Sequence, residues 1–358
     1  MSSPESAPTT PTNAAARSTR VVAVTGVSGL IGQRLLPLLD GLDGVERVVG
    51  LDAREPARRV TKLDFRLVDL RSAELTVLLQ DVDTIVHLAG VVGPNADIDL
   101  VRGTNVDGTR ALLAAAADAG VRKVVRTSSA AVYGAWANNA VPLTEASALR
   151  PNPGYEPAIF DAECERLLFD WEHDAPQRVA TTLRLAPVVG AGAHTLFARA
   201  AAGRPPVVVR GATPPMQVVH VDDVASAIVV AVEQDLHGAF NVAADGWLDH
   251  DDALAVAPHR RPPAVPEEVA ERALAAMWAS GVGEAPPSVL PYLVHSWVVA
   301  NDAIKAHGWQ PKHTNEEAML LAGDPDARRR PLPWIAAVGA LVAGAGGATW
   351  WLSRRRRA

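Results

Sequence analysis

The stretch from residue 20 to residue 39, RVVAVTGVSGLIGQRLLPLL, joins a run of valines to an apolar helical pattern through three glycines. A glycine turn that leads into a helix N-terminus presents backbone N–H groups to an anion. Gly26 allows a tight turn, Gly29 lets the backbone approach a pyrophosphate, and Gly32 lets the helix pack on the strand. The stretch therefore predicts a dinucleotide-binding loop.

Two acidic residues end predicted strands downstream of this loop. Asp52 ends the strand RVVGLD, where a carboxylate accepts both hydroxyls of an adenosine ribose and repels a 2′-phosphate. This favours NAD over NADP, although Arg54, Arg58 and Arg59 could instead hold that phosphate. Asp69 ends the strand in FRLVDLR, where it is placed to meet an adenine or, alternatively, to act as a turn or cap residue.

Strand and helix patterns alternate through the first half of the chain. DTIVHLAG and VRKVVRTSS are typical of buried strands, whereas AELTVLLQ and NVDGTRALLAAAADAG are typical of helices. This alternation predicts an α/β fold with a Rossmann-type, doubly wound parallel sheet. In such a sheet the ligand lies across the carboxyl ends of the strands.

The composition of the 358-residue chain excludes several classes of function. A net charge of −6 is not that of a nucleic-acid binder. Cys164 is the single cysteine, so no intramolecular disulfide can form, which fits a reducing compartment. The sequence has no zinc-ligand spacing, P-loop or nucleophile elbow, and we predict no metal site.

The two ends of the chain differ in composition from the rest. Residues 1–19 are rich in Pro, Ser, Thr and Ala and predict a disordered leader. After a linker at 321–332, residues 333–352 carry no charge and lie between two clusters of arginines, the second in a basic tail at 353–358. Such a run is typical of a transmembrane helix, with a buried or surface-lying Ala/Gly helix as the alternative. We therefore expect a single C-terminal pass through the cell membrane, with the main domain in the cytoplasm.

Nine motifs occur in an order that resembles the extended short-chain dehydrogenase/reductase superfamily, in its NAD-dependent epimerase/dehydratase branch. The matching segments run from about Val21 to about Pro311 and are TGVSGLIG, DLR, HLAG, TNVDGTRALLAAA, SSAAVYG, LRLAPVVG, VVHVDDVASAI, GAFNVAADG and AIKAHGWQP. The resemblance implies an NAD(P)-binding Rossmann domain at 20–180. It further implies that 181–320 completes the sheet and forms a smaller substrate-binding portion.

The same resemblance implies which residues would meet a cofactor and which would act in catalysis. The cofactor-binding positions of the family fall on Gly26, Ser28, Gly29, Leu30, Ile31, Gly32, Asp52, Asp69, Leu70, Leu88, Ala89, Gly90, Asn105, Ser128 and Asp161. Of these, Asn105 is usually structural in the family. Ser129 matches the catalytic serine, and Tyr155 is the tyrosine nearest to the catalytic position.

The tyrosine and lysine that act as a catalytic pair in that superfamily have no counterpart in register. The helix motif AECERLL anchors the alignment and puts Pro157 at the tyrosine position and Asp161 at the lysine position, with Tyr155 two residues too early. No lysine occurs between Lys123 and Lys305. A phenol with a pKa of ~10 needs a nearby cation to work at neutral pH, and Asp161 would instead raise the pKa of a neighbouring phenol. Asp161 can still accept hydrogen bonds from ribose hydroxyls.

Three functions remain open on the sequence. The first is a membrane-anchored NAD(P)-binding sensor, scaffold or regulatory partner without tyrosine–lysine catalysis. The second is an active epimerase, dehydratase or oxidoreductase on a nucleotide sugar or a lipid-linked substrate, with Tyr155, Glu156, Asp161 or His194 as a rearranged acid/base. The third, a structural protein without a nucleotide, conflicts with the glycine loop and Asp52. Family members often pair through two long helices, so the resemblance also implies a homodimer.

Overall fold

The computed structural model describes residues 19–71, 75–91, 97–257 and 262–322. Its strands are β1 (Arg20–Thr25), β2 (Val45–Asp52), β3 (Leu63–Leu67), β4 (Thr84–His87), β5 (Lys123–Ser129), β6 (Val179–Leu185), β7 (Val188–Val189), β8 (Val208–Val209), β9 (Val219–His220), β10 (Gly238–Val242) and β11 (Ala264–Val265). Its α-helices are α1 (Leu30–Asp40), α2 (Leu75–Leu78), α3 (Ile98–Arg102), α4 (Gly108–Asp118), α5 (Glu156–His173), α6 (Leu196–Ala201), α7 (Val221–Glu233), α8 (His250–Val256), α9 (Glu267–Ala279), α10 (Leu290–Val294), α11 (Asp302–Lys305) and α12 (Asn315–Leu321). A π-helical turn at Gly103–Asp107 continues into α4, and short 3₁₀ turns lie at Ala130–Tyr133 and Pro287–Val289.

Seven strands form one parallel sheet in the order β3–β2–β1–β4–β5–β6–β10. The chain reverses its direction of travel across the sheet between β1 and β4, and a crevice at the carboxyl ends of strands is expected at that switch point. The predicted parallel Rossmann-type α/β sheet is confirmed. The boundary that we placed between residues 180 and 181 falls inside β6, so the two predicted ranges share this sheet.

Helices cover both faces of the sheet, because successive side chains of a strand point to opposite sides. Val22 and Val24 of β1 lie in the same apolar cluster as residues of α1 and α7. Ala23, between them, belongs to a second cluster with residues of α2, α4 and α5. Both faces are therefore buried, which explains the nearly continuous apolar runs in the strands.

The smaller portion is built around a third and a fourth apolar cluster, outside the large sheet. The third joins Tyr155 and Ala158 to α9, α10 and the β8 region, and the fourth joins α6, α8 and α12. Two-stranded pairs, β8 with β11 and β7 with β9, hold these segments beside the carboxyl ends of the large sheet. This arrangement places the C-terminal third of the described chain over the edge where a ligand is expected.

The predicted leader, membrane segment and tail lie almost wholly outside the described residues. This applies to 1–18 of the leader, to 323–332 of the linker, and to all of 333–358. None of the helices within the described ranges is both long and apolar enough to cross a membrane.

A buried polar network fastens α5 to the centre of the sheet. Arg184 of β6 and Glu165 of α5 form an ion pair at 2.7 Å, with 8% and 7% of their side chains exposed. Ser128 donates to Glu165 Oε1 at 2.6 Å, and Arg184 Nη1 donates to the Tyr133 hydroxyl at 2.8 Å. Tyr133 in turn donates to Asn241 Oδ1 at 2.8 Å. One buried pair of charges therefore links five elements, which are β5, the 3₁₀ turn after it, α5, β6 and β10.

Removal of the acid from this pair tests its contribution to stability. Glu165→Ala leaves the buried guanidinium of Arg184 without its partner, so we expect the free energy of unfolding to fall by about 3–5 kcal/mol. Asp170→Ala is the matched control on the same helix, because Asp170 pairs with exposed Arg166 and such pairs contribute at most about 1 kcal/mol. Urea denaturation of both variants makes the comparison. Equal losses would contradict the assigned role of Glu165.

Candidate functional site

The glycine loop between β1 and α1 lies at the carboxyl edge of the sheet. Gly26 has a φ of +70°, and a Cβ there would lie 2.6 Å from the backbone nitrogen of Ala89. A Cβ on Gly32 would lie 2.5 Å from the carbonyl oxygen of Val27. Both positions therefore require glycine for the fold itself, as the sequence predicted for the turn and for the helix packing.

Gly29 differs from the other two glycines of the loop. Its φ of −73° and ψ of 174° suit any residue, and a Cβ would meet only the Gly26 carbonyl oxygen, at 3.1 Å. It is the N-cap of α1 and supplies no side-chain capping bond. The first N–H groups of an α-helix have no partner within the helix, so this end of α1, which includes Leu30 and Ile31, is suited to bind a phosphate.

Asp52 is held against the glycine loop. Its Oδ2 accepts a hydrogen bond from the Ser28 backbone N–H at 2.9 Å, and its Oδ1 accepts one from Arg54 N–H at 3.0 Å. Ser28 Oγ donates to the Arg54 carbonyl at 2.6 Å, which closes the contact from the other side. The carboxylate is thus fixed beside the phosphate-binding end of α1. This is where the sequence placed a ribose-binding acid.

Asp69 forms hydrogen bonds only with a neighbour in sequence among its described contacts, and Leu70 packs in an apolar cluster. Asp69 Oδ1 accepts from the backbone N–H and from Nε of Arg71, both at 3.0 Å, and these hydrogen bonds lower the pKa of the Asp69 carboxyl to about 2. A carboxylate that accepts from the N–H two residues later is typical of a turn, in agreement with the alternative for this position, while the contact of Asp69 with an adenine stays a prediction. The Leu70 side chain is buried in the apolar cluster under α2 and α4.

The loop after β4 is shaped by Asn105 of the π-helical turn. The Asn105 side chain accepts from Val91 N–H at 2.7 Å and donates to the Val91 carbonyl at 3.2 Å. A Cβ on Gly90 would lie 3.4 Å from Asn105 Oδ1. Asn105 therefore acts on the loop Leu88–Gly90, whose Ala89 also contacts Gly26. Its role is structural, as the family resemblance implied.

His87, the last residue of β4, is a buried site residue that the sequence analysis missed. Thr109 Oγ1 donates its proton to the Asn105 carbonyl, so the Thr109 hydroxyl can only accept from His87 Nε2, at 2.9 Å. His87 Nδ1 then carries no proton and accepts from Thr25 Oγ1 at 2.7 Å. Burial, with a smaller effect of the Arg126 charge, lowers the pKa of His87 to about 3. The imidazole is therefore neutral at physiological pH.

The two serines that end β5 point to opposite sides of the strand. Ser129 is the N-cap of the 3₁₀ turn, and its Oγ accepts from Ala131 N–H at 3.1 Å. Ser128 was predicted to meet the cofactor, but its buried hydroxyl donates to Glu165 instead. The structure therefore gives Ser128 a structural role and leaves Ser129 at the carboxyl edge.

Tyr155 lies at the N-cap of α5, in an aromatic cluster. Its ring centroid is 4.8 Å from that of Tyr292 and 6.1 Å from that of Phe197, and 9% of the residue is exposed. Burial raises the pKa of the Tyr155 phenol well above its usual range. Two roles were considered for Tyr155, a mobile acid/base on a turn and a packing aromatic. The structure shows Tyr155 as a packing aromatic. Of the other candidates, Glu156 is the first residue of α5, and His194 is exposed.

The lysine position of the family motif holds one half of an ion pair. Asp161 Oδ1 accepts from Arg126 Nη2 at 2.7 Å, with 25% and 8% of the two side chains exposed. Arg126, from β5, was not singled out in the sequence. Its Nη1 is buried and has no hydrogen-bond partner within the described ranges. Pro157, at the tyrosine position, occupies the first turn of α5, where proline is tolerated.

This pair changes what the site can do chemically. A guanidinium has a pKa above ~12, so Arg126 supplies a fixed positive charge and no proton relay. Asp161 Oδ1 accepts from Arg126, and the expectation that Asp161 also accepts from ribose hydroxyls stays a prediction. The uncapped end of α1 and Asp52 lie apart from this pair, on other elements of the same sheet edge.

Comparison with known proteins identifies a family and a fold. A model of the NAD dependent epimerase/dehydratase family matches residues 22–243. An uncharacterized protein of Mycobacterium tuberculosis is 30% identical over 291 residues, which cover 76% of this chain and 75% of that protein. A UDP-glucose 4-epimerase of Mycolicibacterium smegmatis is 34% identical over 205 residues, which cover 51% of this chain and 64% of that protein.

Solved structures show the same fold at lower identity. The Thermus thermophilus UDP-glucose 4-epimerase in complex with NAD is 24% identical, with a TM-score of 0.64, and the match covers 84% of this chain and 97% of that one. The Bacillus cereus UDP-glucuronic acid 4-epimerase, in complex with a fluorinated UDP-sugar and NAD, is 17% identical, with a TM-score of 0.63 and the same two coverages.

The neutral state of His87 predicts a pH dependence of stability. The pKa of His87 is about 3 in the folded chain and about 6.5 when unfolded, so the unfolded chain binds the extra proton between these values and stability falls as the pH drops below about 6.5. Between pH 7 and pH 5 this loss is about 2 kcal/mol. Chemical denaturation at both pH values should show a smaller loss in His87→Gln than in wild type. Equal losses would show that His87 is not the group responsible.

Proposed function

The chain belongs to the NAD-dependent epimerase/dehydratase family, and from that premise we propose that it binds NAD without the family's tyrosine–lysine chemistry. Its role would then be that of a sensor, scaffold or regulatory partner whose state depends on a bound dinucleotide. The observation that carries this proposal is the Arg126–Asp161 ion pair at 2.7 Å, which occupies the place of the catalytic lysine.

The residues at the carboxyl edge fit a dinucleotide. The uncapped N-terminus of α1 would bind the pyrophosphate, and Gly29 leaves the space that a Cβ would fill. Asp52, fixed beside that end, would accept the adenosine ribose hydroxyls and repel a 2′-phosphate, which favours NAD over NADP. NAD supplies a hydride acceptor when it is bound, and the chain's own residues supply the binding and the orientation.

The proton-transfer part of the family mechanism lacks support in this chain. A tyrosine needs a depressed pKa to act as a base at neutral pH, whereas burial raises the pKa of Tyr155. The cation that would lower it is absent from position 161, and Arg126 is paired with Asp161 instead. Proline at 157 has no proton to transfer.

A second function is supported by Ser129, which stays at the edge of the sheet. An active enzyme with a rearranged acid/base, acting on a nucleotide sugar or a lipid-linked substrate, would use this hydroxyl. A nucleotide-sugar substrate is supported by the relatives that are named as UDP-sugar epimerases.

Titration with NAD, NADH, NADP and NADPH tests the proposal, together with an assay for interconversion of UDP-glucose and UDP-galactose. We expect wild type to bind NAD and to show no interconversion. Gly29→Ala should weaken NAD binding at least about tenfold, because the methyl group fills the space for the pyrophosphate. Gly44→Ala is the matched control, since a Cβ at Gly44 meets no atom within 4 Å. Turnover by wild type that is lost in Ser129→Ala would favour the second function, and no NAD binding would overturn the first.

We also propose that residues 333–352 anchor the protein in the cell membrane with its main domain in the cytoplasm. The support is the uncharged run between two arginine clusters, with tryptophans near both ends. Fractionation of cells should find the full chain in the membrane pellet under high salt and a chain that ends at residue 322 in the supernatant. The full chain in the supernatant would refute the anchor.

Light scattering of the same samples would test the homodimer implied by the resemblance, which a single-chain mass would exclude.

A further inference from the structure

Asp69 and Arg71 form a two-point ion pair in the turn that follows β3. Asp69 Oδ1 accepts from Arg71 Nε at 3.0 Å, and Asp69 Oδ2 accepts from Arg71 Nη2 at 2.5 Å. The backbone N–H of Arg71 donates to the same Oδ1 at 3.0 Å. Because two parallel contacts join two planar groups, the ion pair fixes the plane of the guanidinium.

The ion pair is exposed, whereas the turn beneath it is anchored. The exposed fraction is 51% for the Arg71 side chain and 50% for the Asp69 side chain. Leu70, between them, is 6% exposed and packs in the apolar cluster that contains Leu75 and Leu112. The turn therefore presents a flat cation to solvent from a fixed backbone.

This cation follows the strand next to Asp52, the acid proposed to bind the adenosine ribose. The Val68 backbone N–H donates to the Asp52 carbonyl at 2.9 Å, so the ends of β2 and β3 lie side by side. Asp69 is the next residue along the chain. The uncapped N-terminus of α1 follows β1, Asp52 ends β2, and the ion pair follows β3, and these three strands are neighbours in the sheet.

The order of these three strands matches the order of groups in one half of a dinucleotide. With the pyrophosphate at the N-terminus of α1 and the ribose on Asp52, the base is the next group outward. The base is joined to the ribose by a single bond, and neighbouring strands such as β2 and β3 lie ~4.8 Å apart. An adenine is therefore expected at the turn that carries the ion pair.

The two charged side chains of this turn differ in what they offer to an adenine. Both carboxylate oxygens of Asp69 accept from Arg71, so an adenine amine would have to share them with charge-assisted hydrogen bonds. The guanidinium of Arg71 is half exposed and held flat. Flat guanidinium groups stack on aromatic faces, and the stacking costs less when the group is already ordered.

We propose that Arg71 is an adenine-binding residue, with its guanidinium stacked on the face of the base, and that Asp69 is a positioning residue that holds this guanidinium flat. This inference rests on the proposed function, since it names a contact of the proposed NAD site. Stacking does not involve the 6-amino group of adenine, whereas a hydrogen bond to Asp69 requires it. A cofactor without that amino group therefore distinguishes the two contacts.

Titration of the full chain with NAD, ADP-ribose and nicotinamide hypoxanthine dinucleotide tests the contact. The hypoxanthine compound has oxygen in place of the 6-amino group and keeps the flat ring, so we expect wild type to bind it within about twofold of NAD. Arg71→Ala should weaken the binding of all three ligands about fivefold, because each carries a purine base. ADP-ribose has no nicotinamide, so a loss with this ligand places the effect in the adenosine half.

Three further variants separate stacking from charge. Arg66→Ala is the matched control, because Arg66 is 54% exposed and pairs with Asp64, also two residues away, at 2.9 Å. We expect it to leave NAD affinity unchanged. Arg71→Lys keeps the charge without the flat group and should bind NAD as weakly as Arg71→Ala. Asp69→Asn should weaken NAD binding in wild type and have no further effect in Arg71→Ala, since a positioning residue acts through its partner.

Three results would overturn this inference and leave the proposed function in place. Equal losses in Arg71→Ala and Arg66→Ala, or wild-type affinity in Arg71→Lys, would show an effect of charge alone. Much weaker binding of the hypoxanthine compound than of NAD would assign the base to a hydrogen bond through its amino group. NAD affinity that is unchanged in Arg71→Ala would exclude the contact. Absence of NAD binding by wild type would instead overturn both this inference and the proposed function.

Discussion

The close contact between the glycine loop and β4 is the constraint on which the rest of the site depends. A Cβ on Gly26 would lie 2.6 Å from the Ala89 nitrogen, so the two backbones meet without an intervening side chain. This contact brings the N-terminus of α1, the end of β2 and the loop after β4 to one place. Asp52 then fixes the loop through Ser28, and Asn105 fixes the opposite wall through Val91. The geometry of the glycine loop is thus a property of the packed sheet edge.

The Arg126–Asp161 pair joins β5 to α5. A carboxylate at this partly buried position would be unfavourable alone, and so would the guanidinium of Arg126, of which 8% is exposed. Together they compensate each other across β5 and α5. A second pair, Arg184–Glu165, binds the same two elements deeper in the fold. The helix that carries Asp161 is therefore held to the sheet by two ion pairs, and the guanidinium groups of Arg126 and Arg184 keep their protons at neutral pH.

The two sides of the proposed binding region differ in chemistry. The sheet side offers helix N–H groups, a carboxylate and a serine hydroxyl, and is suited to a polar dinucleotide. The other side offers Phe197, Met216, Tyr292 and Trp297, and the polar groups of Gln217 and Tyr292 there are hydrogen-bonded within the protein. Tyr155 packs on Tyr292 and Phe197, and burial raises the pKa of its phenol. The fold alone would not predict this difference, because function depends on the side chains of the site.

The sequence by itself determined the parallel sheet, the glycine turn and the position of Asp52 at the end of a strand, because each follows from local pattern and spacing along the chain. The replacement of the family's tyrosine and lysine stays a prediction. The sequence also offered both interpretations of Asp69, and the hydrogen bond from Arg71 N–H gives this residue the geometry of a turn. It did not show that Arg126 would face Asp161, that Ser128 would turn away toward Glu165, or that His87 would be buried between two threonines. Those contacts join residues that are 22 to 62 positions apart in the chain. They arise only when strands and helices pack, and tertiary packing therefore decided the charge and the polarity of the site.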